Sequence, residues 1–282
     1  MLTNLEVFGL ESTVDPLPLD NGSARTDPLQ IKNIEGLGPV KANIATALFG
    51  AFDGEYYTGS TVGKRNIVIT IGLNPNWATQ TVAELRKIIY GYLMPKQKVR
   101  LRFQSLHLPD LQIDGYVESL DPNIFAKDPE VQISIICPDP YYIAVEPTEI
   151  SGQGIIGSLD VLEELYYMGN VPTGFVLRVN WTLVNATGLV QILNQTVNLQ
   201  EFKVTATINA TSYLEISSVI GNKYAKLVNP ETNVSTNILT KVQGDSVWPK
   251  LNPGKNMFGV LMSASSGEFP WTLSYFERFG GL

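Results

Sequence analysis

Only one stretch of this chain carries helical periodicity, and the rest is cut into short extended runs. Between Thr79 and about Leu93, the residues Val82, Leu85, Ile88, Ile89 and Tyr92 recur at the spacing of one helix face. Thr81-Val82-Ala83-Glu84 fits a capping box, with a hydroxyl at the N-cap and a carboxylate three residues on. Gly91 and Pro95 end the run. A chain with a single helix must build its core from sheets.

Strands follow that helix. Lys98 to Phe103 alternates basic and apolar residues, so one face is core and the other is charged. A Pro109-Asp110 turn leads to Leu111–Glu118, and an Asp121-Pro122-Asn123 turn leads toward Val131–Ile135. The run ends in Cys137-Pro138-Asp139-Pro140-Tyr141-Tyr142. Two prolines around one aspartate fix two φ angles and disfavour helix before each, which makes a stiff corner. That corner divides the chain into residues 1–145 and residues 146–282.

Upstream, turn signals at Asp15-Pro16, Asn21-Gly22, Asp27-Pro28 and Gly38-Pro39 punctuate the first forty residues. Phe49 to Tyr57 reads as a glycine- and aromatic-rich loop, continued by Gly59 and Gly63. Asn66 to Ile71 is a strong strand. The first half therefore reads β-loop-β-α-β-β-β. Past Tyr142, Glu146 to Gly157 is a linker, and Val161 to Tyr167 fits either a short helix or a strand. Gly174–Trp181, Val190–Leu193, Glu201–Ile208, Tyr213–Ser218, Lys223–Val228, Met257–Met262 and Trp271–Phe279 read as strands separated by Asn/Thr/Gly turns. That spacing is expected of an all-β sandwich.

At 282 residues the chain is long enough for two ordinary domains. Its net charge of −7 argues against a free-standing nucleic-acid binder. A single cysteine, Cys137, rules out an intrachain disulfide framework. Met1 is not followed by a basic patch and an apolar core, so no leader peptide is expected. No apolar run of about 18 residues occurs, so no membrane insertion is expected. The glycosylation pattern at Asn180, Asn185, Asn194, Asn209 and Asn233 is read as a by-product of an Asn/Thr-rich β chain.

Residues that carry chemistry are sparse. His107 stands alone in a turn beside Pro109, and Cys137 sits at a strand end with no base near it in sequence. Glu163-Glu164, and Asp114 near Glu118, are pairs of a kind common on solvated faces. No EF-hand, zinc spacing, P-loop or dinucleotide fingerprint is present. No catalytic residue, cofactor or metal is therefore assigned. Lys96, Lys98, Arg100 and Arg102 share parity along one strand. They fit contact with nucleic acid or an acidic partner, a solvated edge that discourages stray pairing, or a polar intersubunit contact, of which the last is favoured.

Several segments together resemble the distal tail protein (Dit) family of long-tailed phages with non-contractile tails. In the first half these are Gly63 to Ile69, the helix and its following strands, Gly115-Tyr116-Val117, and Cys137 to Tyr141. In the second half they are Tyr167 to Thr173, Trp248-Pro249, Leu251 to Asn256, and Ser274-Tyr275 to the end. The stretch Thr182 to Thr211 is richer in Asn and Thr than the family pattern.

The resemblance implies a mainly β protein with one helix. Residues 1–145 would form a tail-tube-like β-sandwich ring domain, and residues 146–282 a galectin-like β-sandwich projecting outward. It implies a virion structural protein with no enzymatic duty, sited at the distal end of the tail and assembled in the host cytoplasm. The subunits would form a homo-hexameric ring around the central channel, joining tail tube to baseplate or tip. The partners implied are the tail-tube protein, the tape measure protein and tail-tip or receptor-binding proteins.

Ring closure joins one surface to a different surface on the next copy. The sequence offers the charged loop bearing Asp53, Glu55, Tyr56 and Tyr57, and the strand face bearing Lys98, Arg100 and Arg102. Aromatics flanked by charge suit an interface core with a polar rim. The alternative reading is a carbohydrate-binding module for host cell-surface polysaccharide. In it Trp181, Tyr213, Trp248 and Trp271 would stack on a host glycan. A hydrolase of surface polymer would need two placed carboxylates and a cleft.

Overall fold

The computed structural model describes residues 2–10, 15–20, 27–48, 50, 53–105, 109–123, 127–156, 162–180, 186–196, 200–208, 212–263 and 269–282. His107 and Trp181, singled out in the sequence, lie outside the described residues. The chain divides into two compact units, Met1–Val145 with Phe279–Leu282, and Glu146–Arg278. The last four residues, which the sequence assigns to the second domain, thus lie with the first.

In the first unit the strands are β1 (Leu2–Gly9), β2 (Leu17–Asp20), β3 (Leu29–Glu35), β4 (Ala42–Leu48), β5 (Glu55–Val62) and β6 (Arg65–Leu73). After α1 (Val82–Tyr92) come β7 (Lys98–Ser105), β8 (Leu111–Asn123), β9 (Glu130–Cys137) and β10 (Tyr142–Ala144). In the main sheet β7, β1, β2, β3, β6 and β9 follow in order from β8, and β9 pairs back with β8, so the circuit closes. Ile67, Ile69 and Ile71 of β6 face Ile135, Ile133 and Val131 of β9 in register. All are fully buried, as strict alternation on a closed sheet requires.

The helix forms where the sequence places it. Glu84 N donates to Thr81 Oγ1, and Thr81 N donates to Glu84 Oε2 at 2.8 Å, completing the capping box. Leu85, Ile89 and Leu93 are buried in the first unit's core.

Arg65 holds this unit's loops together from the inside. It is almost wholly buried at the start of β6. Its guanidinium donates to the carbonyls of Gly36, Gly38, Pro140 and Gly280, and its charge lies over the Tyr142 ring. Gly36 has φ +84, and a Cβ there would sit 2.0 Å from the Asn66 carbonyl oxygen, so only glycine fits beside this strand. The Pro138–Pro140 corner is therefore a ligand of the arginine as well as a stiff exit. The same arginine binds Phe279–Leu282 to the first unit.

The second unit contains β11 (Thr148–Gln153), β12 (Ile155–Ile156), β13 (Glu163–Tyr167), β14 (Val176–Val179), β15 (Ala186–Asn194) and β16 (Gln200–Ile208). It continues through β17 (Tyr213–Ser217), β18 (Tyr224–Val228), β19 (Ser235–Asn237), β20 (Gly254–Met262) and β21 (Pro270–Tyr275). One sheet runs β11-β21-β14-β17-β18-β19; the other runs β12-β20-β15-β16, with β13 also on β20. Leu177, Leu214 and Leu273 from one sheet share a core with Ile192, Phe202 and Phe258 from the other, which makes a β-sandwich. The segment left open between helix and strand is a strand over Glu163–Tyr167. The expected strand Trp271–Phe279 is instead two: β21 ends at Tyr275, and β22 (Arg278–Phe279) joins β10 in the first unit's sheet.

Two polar networks fix this sandwich. Asn194 Nδ2 donates to Asn256 Oδ1 at 2.9 Å and to the Lys250 carbonyl at 2.7 Å. Asn256 Nδ2 donates in turn to the carbonyls of Asn252 and Gly254. Buried amides thus shape the Leu251–Asn256 turn. With its amide buried and bonded, Asn194 cannot serve as a glycan acceptor in the folded chain. On the other sheet, Glu215 accepts from Arg178, Lys226 and Tyr224. Burial opposes its ionisation, but those hydrogen bonds together outweigh it and hold the carboxyl below its usual range.

Candidate intersubunit surface

The segment from Glu55 to Val62, expected as a loop, is strand β5 paired with β4. Tyr56-Tyr57-Thr58 and Thr61-Val62 have high strand propensity, which outweighs Gly59 within the run. Among the described residues these two strands form a sheet of their own. A two-stranded hairpin is marginal in water unless its face is covered.

The register gives the hairpin two faces. Ala42 opposes Val62 and Ile44 opposes Ser60; beyond a bulge, Thr46 opposes Tyr57 and Leu48 opposes Glu55. Ile44, Leu48, Tyr57 and Val62 therefore share one face, and Tyr56 shares the other with Ala45, Ala47 and Gly59. Leu48 is 82% exposed, Tyr56 62% and Tyr57 57%. Thr46 bonds Glu55, and Tyr57 Oη donates to Ser60 Oγ at 2.8 Å, so the apolar face has its own polar staples. Asp53 is exposed just before β5.

The basic face of β7 is different. Arg100 makes a bidentate bond to Asp114, with Nε to Oδ1 at 2.6 Å and Nη2 to Oδ2 at 3.0 Å. That bond raises the already high pKa of the guanidinium. Arg102 Nη2 donates to Asp110 Oδ2 at 2.8 Å, and its backbone neighbour on β1 is Glu6. Lys98 opposes Tyr116. Arg100 and Arg102 are thus ion-paired rather than part of a free cationic stripe.

The residues considered for catalysis do not assemble. Cys137 is buried, and loss of hydration pushes its thiol up to about 12. Asp114 is bound by Arg100, Glu118 accepts from Ser134 Oγ at 2.8 Å, and Glu164 pairs with Lys255. Trp271 is buried in the sandwich core, and half-buried Trp248 packs on Phe202 with the Lys223 ammonium over its ring. Tyr213 lies beneath Arg178.

No protein-family model matches the chain, and no curated protein matches it. Solved structures do. The Dit protein of phage SPP1, described as a paradigm of the hub adsorption apparatus in phages infecting Gram-positive bacteria, aligns at TM-score 0.65 and 15% identity. The alignment covers 92% of this chain and 97% of that one, so the two share a fold across both units. Chains of the phage p2 baseplate in its activated conformation, with strontium or calcium, align more loosely. Their TM-scores are 0.44 and 0.43 at 11% identity, over 95% and 96% of this chain and 97% and 98% of theirs.

Proposed function

We propose that this protein is a structural hub subunit of a phage tail, a ring-forming component at the distal end of the tail tube. The observation that carries the reading is the fold shared with the SPP1 hub protein over 92% of the chain. Copies close into a hexameric ring around the tail channel through the first unit. The second unit faces outward, as a galectin-like sandwich. The tail-tube protein, the tape measure protein and tail-tip proteins are its neighbours in the virion, where it acts structurally rather than catalytically.

The hairpin supplies the ring contact in this reading. Its Tyr57 face leaves Ile44, Leu48 and Tyr57 exposed, and among the described residues no other strand pairs with the hairpin, which suits a surface awaiting a partner. Burying Ile44, Leu48 and Tyr57 on the next copy gives a heterologous contact of the kind that closes a ring. Asp53 and Glu55 belong to its polar rim. The paired arginines of β7 form a neutral polar acceptor surface, with Lys98 at its margin.

Sedimentation velocity over a concentration series, with negative-stain imaging of the associated species, tests the proposal. A closed ring with a central hole is expected. A chain that stays monomeric at every concentration, alone and with tail-tube protein, overturns it.

A further inference from the structure

Trp77 is 77% exposed, although it is among the costliest side chains to leave in water. Its position is fixed. Asn76 Oδ1 accepts from Ala78 N, and the Asn76 carbonyl accepts from Thr79 N at 2.8 Å and Gln80 N at 2.7 Å. A rigid turn thus displays the indole just before α1. The ring borders a cleft of about 490 Å³ within the first unit, lined also by Gln30, Lys32, Asn74, Lys127 and Asp128.

The cleft shows further signs of construction. Lys32 falls at a β-bulge in β3, where the register with β6 slips between Ile31 and Asn33. Bulges re-aim side chains. The stem of Lys32 lies across Gly72, where a Cβ would come within 2.7 Å of Lys32 Cε. Its ammonium reaches Glu130 at 3.3 Å.

From this arrangement we infer that the cleft beside Trp77 is a saccharide-binding site. Its volume falls in the small-ligand range of roughly 300–1,000 Å³, too small for a folded partner. Its lining combines one aromatic ring, two carboxamides, two ammonium groups and a carboxylate with Gly72, Leu73, Pro75 and Pro129. Protein-docking pockets are instead filled by apolar anchors. An aromatic face covers the C–H face of a pyranose, while amides and charged groups exchange hydrogen bonds with its hydroxyls. Mixed charge on the walls suits a hydroxyl-rich neutral sugar better than a polyanion. The site lies in the first unit and uses none of the aromatics that the sequence offers for sugar stacking. It stands whether or not copies assemble into a ring.

The test uses the full chain on a printed glycan array, followed by calorimetric titration with the array's best soluble trisaccharide. Chitotriose and maltotriose serve as fixed probes. Saturable binding to at least one of these is expected, and Trp77→Ala should weaken it by about tenfold or more, the size of one aromatic stacking contact. Trp77→Phe should retain part of the affinity, and Asp128→Ala should weaken binding while the thermal transition stays unchanged. Three outcomes overturn the inference. One is no saturable binding to any arrayed or titrated glycan. Another is binding that Trp77→Ala leaves intact. The third is a Trp77→Ala variant whose only change is in sedimentation, which makes the indole a protein contact. Hub assembly is read from the hairpin variants, so its failure is a separate result.

Discussion

Arg65 Nη2 donates to the Gly280 carbonyl at 2.6 Å, joining positions 215 residues apart. The same guanidinium binds Gly36, Gly38 and Pro140. Arg65→Leu would strand several buried carbonyls at once. A loss of about 3 kcal/mol or more in first-unit stability is expected, since hydrogen bonds to charged groups contribute roughly 1.5–3 kcal/mol each. Urea unfolding of the variant measures it, and a change below 1 kcal/mol would show that water replaces the guanidinium at little cost.

The return of the chain gives a second prediction. Residues 146–278 hold a continuous core of their own and should fold alone with one cooperative thermal transition. Residues 1–145 lack Phe279 and the Gly280 acceptor and should be markedly less stable than in the whole chain. Adding a synthetic peptide of residues 279–282 is not expected to restore them at micromolar concentration. A fragment 146–278 that melts without cooperativity contradicts the assignment.

Tyr57 and Tyr56 point to opposite faces of the hairpin, so their variants should differ. Tyr57→Ala removes an aromatic from the apolar face and should cost about 2 kcal/mol or more per contact, as interface hot spots do. The ring population should fall in sedimentation velocity. Tyr56→Ala should cost less, because Ala45, Ala47 and Gly59 beside it bury little area. Equal effects would mean both faces are covered. Reversing Arg100 and Arg102 to Glu places like charges beside Asp114 and Asp110, and it should destabilise the first unit as well as any contact.

Glu215 makes the second unit sensitive to acid. Its folded pKa is depressed, so its stabilisation is fully present above the ordinary carboxylate range. That contribution is lost as pH falls through this range to the lower folded value. Glu215→Gln should flatten the acid limb of the stability profile of residues 146–278 and leave its neutral plateau lower. An acid limb that is unchanged in the variant assigns the effect to other carboxylates.

Local chemistry was legible and distant chemistry was not. Thr81 and Glu84 sit three residues apart, so the capping box could be read directly. The alternation in Lys98–Phe103 likewise told which residues face inward, and Val99, Leu101 and Phe103 are buried. Arg65 stood only as part of the Gly63–Ile69 segment; its network gave no signal, because its acceptors are backbone carbonyls from separate segments and carry no side-chain signature. The pairing of Arg100 with Asp114 depends on strand register, which alternation alone does not supply. Glycine frequency made β5 look like a loop, although Tyr and Thr around Gly59 favour a strand. The indole of Trp77 gained meaning only when the cleft beside it appeared. The turn at Leu251–Asn256 was recognisable, while the buried Asn194 that braces it was not.

The strands at which the chain leaves and re-enters the first unit, β10 and β22, are hydrogen-bonded neighbours. In topological terms residues 146–278 are therefore inserted within the first unit rather than appended after it. Removing or exchanging that block should therefore leave the two junctions adjacent, because β10 and β22 pair with each other and not through it.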